Sequence, residues 1–170
     1  MEEYINLIED IIIETQQEIT MKIYLETSVI NFLFAEDAPE KMKITQEFFN
    51  VINEYEVFIS DIVLLEIEQA TEQKKELLSN VINEYKMRAL ESSEQVENLA
   101  KVYVDEGIIP KKYYNDALHI AIATKYKMDA IVSWNLTHIV KFKTKFQVKA
   151  INEKLKEKDV IICTPEEMVY

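Results

Sequence analysis

At 170 residues the chain suits one domain with a substantial core rather than two, and its 48% apolar content argues against disorder. A net charge of -12 excludes a uniformly basic nucleic-acid surface while allowing a local patch; one cysteine (Cys163) excludes a disulfide framework and a thiolate zinc cluster, and one glycine (Gly107) excludes glycine-rich phosphate cradles. With no basic leader and no run near the ~20 apolar residues of a spanning helix, the protein is expected to be cytoplasmic and to have no membrane partner.

Residues 1–20 hold six acids and no Lys or Arg. Tyr4, Ile5, Ile8, Ile11, Ile12 and Ile19 can stripe one side of a helix, so this segment reads as an acidic helical extension before a domain over 21–170. The run Ile23-Tyr24-Leu25 reads as a buried strand ending on Glu26, Thr27 and Ser28, with a short helix leaving at once. Asp37-Ala38-Pro39-Glu40 opens a helix whose core face is Phe48, Phe49, Val51 and Ile52. Val57-Phe58-Ile59 is a second buried strand, and Ser60 and Asp61 suit the cap of a helix over 62–70. Further helices are expected over 71–86, from Ser92 or Ser93 to about 106, over 112–127 and over about 145–156. Residues 87–90 read as a connector or edge strand, and 130–133 and 160–163 as strands. Strands alternating with helices predict a mainly parallel sheet covered on both faces, a three-layer α/β/α arrangement.

Three acids have neighbourhoods that surface acids lack. Glu26 stands at a strand end, where open α/β sheets present ligands. Glu66 sits within Ile62-Val63-Leu64-Leu65-Glu66-Ile67, and a buried carboxylate needs a partner or a metal. Asp116 opens a helix, where the dipole favours an ionised carboxylate. His119, one turn on, reads as a structural histidine. Asn135 stands just beyond a strand, as Glu26 does, and Trp134 reads as core or rim. Glu26, Ser28, Glu66, Asp116 and Asn135 are all oxygen donors. Acids without Lys or Arg beside them repel, and a divalent cation relieves that. Oxygen ligation suits Mg²⁺ or Mn²⁺, which activate water for attack on phosphodiesters.

Five segments in register then resemble the PIN-domain ribonucleases, specifically the VapC-like toxin branch whose first motif reads Leu-Glu-Thr-Ser-Val. They are Tyr24-Leu25-Glu26-Thr27-Ser28-Val29; 60–70 with Glu66; Ile109-Pro110 followed by Asn115-Asp116-Ala117-Leu118-His119-Ile120-Ala121; Ser133-Trp134-Asn135 with His138-Ile139; and Ile162-Cys163-Thr164-Pro165-Glu166-Glu167. The resemblance covers about 22–169. It implies a PIN-like fold, an acidic pocket for Mg²⁺ or Mn²⁺, and metal-dependent endonucleolytic cleavage of RNA. It makes Glu26, Glu66 and Asp116 the catalytic, metal-binding carboxylates, Asn135 the fourth metal position and Ser28 a supporting hydroxyl. As partners it implies RNA, an antitoxin protein encoded beside the toxin, and a second copy in a homodimer.

Glu26 stands where many such domains have Asp, and Asn135 where many have an acid. The second difference motivates an alternative, a catalytically weak or inactive PIN-like module that binds RNA or a protein. RNA binding needs positive charge. Seven of the 19 basic residues fall within the eighteen positions 141–158, and Lys141, Lys143 and Lys145, alternating with Phe142, Thr144 and Phe146, are the expected RNA-binding rim.

Overall fold

Strand β1 (Lys22–Leu25) lies at the centre of a five-stranded sheet in the computed structural model, which describes residues 20–170. Ile23, Tyr24 and Leu25 are fully buried, as in a strand covered on both faces. On one side lie β2 (Glu56–Ser60) and the edge strand β3 (Arg88–Leu90); on the other lie β4 (Ala130–Val132) and β5 (Ile161–Cys163). The order is β3-β2-β1-β4-β5 and all four pairings are parallel, so the expected three-layer α/β/α fold is present.

Parallel strands need crossovers, and helices supply them. Helices α1 (Thr27–Phe32) and α2 (Pro39–Val51) join β1 to β2, and α3 (Asp61–Glu68) and α4 (Glu72–Glu84) join β2 to β3. Helices α5 (Glu94–Asp105) and α6 (Tyr114–Lys125) lead to β4, α7 (Phe142–Leu155) leads to β5, and α8 (Pro165–Val169) follows. α6 is the most enclosed, with every residue from Ala117 to Thr124 buried. Ala117, Ala121 and Ala123 let α5 and the sheet approach it closely.

Several boundaries differ from the sequence reading. The helix expected over 112–127 begins as a 3₁₀ turn (Lys111–Tyr113) before α6. The helix expected from about 145 begins at Phe142, so Lys143 and Lys145 ride its first turn; no side-chain cap at Lys141 marks that start. A chain with one glycine must also end helices on other residues. Gly107 (φ 69°) closes α5, but Lys86, Lys127 and Lys156 adopt φ between 49° and 58° at three further helix ends. Each lysine there costs roughly 1 kcal/mol that glycine would not. The helix expected over 1–20 lies outside the described residues apart from Thr20. No helix among the described residues is long and apolar enough to cross a membrane.

The chain runs from β1 to β2 on one side and returns to place β4 on the other. In open α/β sheets that reversal opens a crevice at the carboxyl ends of the two strands. Here those ends are Glu26 and Ser133.

Candidate metal centre

Glu26 follows β1 directly and is the N-cap of α1, with its backbone extended (φ -76°, ψ 153°). Its longer side chain folds back over the new helix, and the carboxylate accepts from the Ser28 amide at 3.1 Å and from the Ser28 hydroxyl. Ser133 Oγ donates to Glu26 Oε2 at 2.7 Å. The same hydroxyls then tie down the β4 end: Ser28 Oγ accepts from the Trp134 amide and Ser133 Oγ from the Asn135 amide, both at 2.9 Å. One buried carboxylate thus fastens the ends of β1 and β4 together. Trp134 is core rather than rim; it is buried, and its Nε1 donates to Thr45 Oγ1 at 2.8 Å.

Glu66 arrives from α3, whose apolar residues Ile62, Val63 and Ile67 are buried. It is half-buried and receives three donors from two helices: the Thr27 hydroxyl from α1, and Asn115 Nδ2 at 3.1 Å and His119 Nε2 at 3.4 Å from α6. Burial, the largest influence, pushes its pKa up. The hydrogen bond and charge of His119, with the hydrogen bonds from Thr27 and Asn115, overcome that and hold it at about 2. His119 is fully buried, and its Nδ1 lies 2.6 Å from Tyr24 Oη, which lies 2.7 Å from Ser60 Oγ. Burial disfavours its charge, but the Glu66 hydrogen bond and the charges of Glu26, Glu66 and Asp116 prevail and raise its pKa above the ordinary value. The carboxylates around the imidazole thus favour its protonated form. Glu26, Glu66 and His119 each offer a ligand atom, and those atoms lie within 4.8 Å of one another.

Asp116 is turned to a different partner and is not part of that tight group. His138 Nδ1 lies 2.9 Å from Asp116 Oδ2, and the His138 ring stacks on Tyr113 with centroids 3.8 Å apart. Asn135 Oδ1 accepts from the His138 amide at 3.0 Å. Burial raises the Asp116 pKa most, and the Glu26 charge adds to it; a hydrogen bond from Asn135 and the two histidines act in the other direction, and the net shift is upward.

Among the described residues no Lys or Arg bonds to any of the three acids; their only basic partners are His119 and His138. Converging carboxylates with a carboxamide and a hydroxyl beside them, and no ammonium to neutralise them, fit a hard divalent cation. The expected rim is only partly free. Lys145 Nζ pairs with Glu167 at 3.3 Å, whereas Lys141 and Lys143 have no ion-pair partner among the described residues. Thr27, Ser133, Asn115, Tyr24 and His138 received no role from the sequence. For Asn115 and His119 the signal was present: four residues apart on α6, they share a side, and both reach Glu66.

A model of the PIN domain matches residues 23–136. Among solved structures, the chain is similar to one in the crystal structure of DNA-bound VapBC from Salmonella typhimurium, with TM-score 0.55 and 16% identity over 86% of this chain and 99% of that one. It is also similar to one in the crystal structure of VapBC2 from Rickettsia felis bound to a DNA fragment from their promoter, with TM-score 0.53 and 15% identity over 85% and 98%. At such identities the likeness concerns the fold. No curated protein matches the chain.

Proposed function

The chain belongs to the PIN domain family, and from that premise we propose that it is a metal-dependent endoribonuclease of the VapC kind, the toxin of a toxin–antitoxin pair. The observation that carries the reading is the convergence of Glu26 and Glu66 within one cluster at the carboxyl end of β1, with Asp116 and Asn135 alongside and no Lys or Arg bonded to the acids. Glu26, Glu66, Asp116 and Asn135 are the residues that would hold Mg²⁺ or Mn²⁺. When bound, such a cation supplies positive charge at the phosphodiester and makes water a better nucleophile near neutral pH.

The protein's own groups prepare that chemistry. Thr27, Asn115 and His119 keep Glu66 ionised and aimed. Ser28 and Ser133 fix Glu26 against the strand ends. Asp116, with its raised pKa and its Oδ2 against His138 Nδ1, is the carboxylate suited to accept a proton and share it with the imidazole. RNA is the proposed substrate; an antitoxin protein and a second copy of the chain are the proposed partners, in keeping with the VapBC complexes that share the fold.

The test is cleavage of RNA with Mg²⁺ or Mn²⁺. Asp116→Asn is expected to abolish cleavage without moving the urea midpoint by more than ~1 kcal/mol equivalent, as for a partly exposed site away from the core. Equal cleavage by that variant, or activity in excess EDTA, overturns the proposal. The uncharged Asn135 favours one second reading, a non-catalytic module. Calorimetry showing no Mg²⁺ or Mn²⁺ binding, with RNA or protein binding intact, would select it.

A further inference from the structure

Phe142 is 84% exposed and Phe146 68%. Four residues apart on α7, they stand one above the other on one side of the helix. Leaving two aromatic rings in water forgoes the roughly 1.5–3 kcal/mol that burying each would contribute, so folding does not account for them. Two hollows lie between α7 and the turn that follows α5. One, of about 180 Å³, is lined by Pro110, His138, Lys141 and Lys143; the other, of about 160 Å³, by Glu106, Phe146 and Gln147; Ile108 lines both. His138 is the residue whose Nδ1 meets Asp116. Joined at Ile108, the two hollows lead from His138, past two lysines, to Phe146, and Phe142 stands one turn before Phe146 on the same helical side.

We propose that this face of α7 is a stacking platform for unpaired RNA bases flanking the cleaved phosphate, with Lys141 and Lys143 on the adjoining sugar–phosphate backbone. The proposal rests on the ribonuclease reading of the site and adds where, and in what form, the strand lies. Charge selects the occupant. Lys141 and Lys143 lack ion-pair partners among the described residues, in a chain whose net charge is -12, so a basic strip beside the site is a local exception that fits a polyanion. Polarity orders the two hollows. Glu106 repels phosphate from the Phe146 hollow, which leaves that end to an uncharged base face. Aromatic rings take unpaired bases because every base offers a π face, whereas a duplex keeps its base faces stacked. A second copy is the competing occupant of this face, and sedimentation distinguishes it.

The experiment uses the full chain in excess EDTA, so that RNA is bound without cleavage, and measures fluorescence anisotropy with a short labelled oligouridylate and a duplex RNA of equal length. The single strand is expected to bind more tightly. Phe142→Ala and Phe146→Ala should each weaken it roughly 5- to 100-fold, and Lys141→Ala and Lys143→Ala should each lower the slope of log affinity against log salt by about 0.7. Leu155→Ala, an exposed apolar residue at the far end of the same helix, should change nothing. Wild-type affinity in the double phenylalanine variant overturns the proposal, as does equal binding of the duplex. So does a change in sedimentation on replacing the phenylalanines, which would make the face a contact between copies. Failure of the wild-type chain to bind either RNA also overturns the platform, whereas the ribonuclease reading stands or falls on cleavage with Mg²⁺ or Mn²⁺.

Discussion

Glu66→Gln offers the sharpest test of the charge arrangement, because the geometry predicts both the sign and the pH dependence of its effect. In the folded protein Glu66 has a pKa of about 2, against an ordinary 4.5. At 1.36 kcal/mol per pH unit that difference corresponds to about 3 kcal/mol of preference for the ionised form in the fold. Water reaches the Glu66 side chain, 25% of which is exposed, and screening reduces the figure to about 1–2 kcal/mol. Asn115 Nδ2 donates to one Glu66 oxygen and His119 Nε2 lies against the other, so the glutamine keeps one acceptor and its amide nitrogen turns hydrogens on whichever donor faces it, leaving that donor unpaired. The folded pKa lies below the unfolded one. The contribution is therefore fully present above pH 4.5, shrinks below it, and is lost as pH falls through about 2. Urea unfolding in EDTA should show Glu66→Gln about 1–2 kcal/mol less stable than wild type at pH 7, with the gap narrowing steadily below pH 4.5. A gap independent of pH, or a variant more stable than wild type at pH 7, would refute the account; the latter would mean that repulsion among the acids outweighs the three donors.

Two further substitutions probe groups that touch no substrate. Tyr24→Phe removes the hydroxyl between Ser60 and His119 Nδ1; it should cost about 1–3 kcal/mol in urea unfolding, and Mg²⁺ affinity by calorimetry should fall about tenfold because His119 then orients Glu66 less firmly. Lost stability with unchanged Mg²⁺ affinity would make Tyr24 merely structural. Asn135→Asp replaces a donor to Asp116 with a like charge; in EDTA at neutral pH it should lower stability by about 1 kcal/mol, as for an uncompensated like-charge pair, and Mg²⁺ should recover part of that. A variant more stable than wild type in EDTA would contradict the arrangement described.

What the sequence made legible was what depends on local pattern. The apolar run through Leu25 ending on an acid identified β1 and Glu26, and an acid among apolar helical positions identified Glu66. Contacts between distant segments were not legible. Tyr24 looks like any core residue until the fold sets it against His119, ninety-five positions away. Ser133 became a ligand of Glu26 only through the register of β4 beside β1. Charge pattern likewise set Lys141, Lys143 and Lys145 together, and only the docking of α8 against α2 explains why Glu167 is in place to take the third. The start of α7 was missed because nothing caps it, and that error concealed the two phenylalanines as neighbours on one helical side.

The two departures from the family pattern acquire physical reasons from the same geometry. Glu26 is both a candidate ligand and the cap of α1, and its extra methylene lets the carboxylate turn back to the Ser28 amide while still meeting Ser133 across the strand gap. An aspartate has less reach for the second task. Asn135 works as a bracket. Its carboxamide accepts from the His138 amide with one atom and donates toward Asp116, which a carboxylate in its place would repel. Burial and the charge of Glu26 raise the Asp116 pKa, and an uncharged donor beside it offsets part of that rise and favours the ionised form. The amide thus gives up one charge that would attract a cation, and in return it steadies the carboxylate best suited to take a proton.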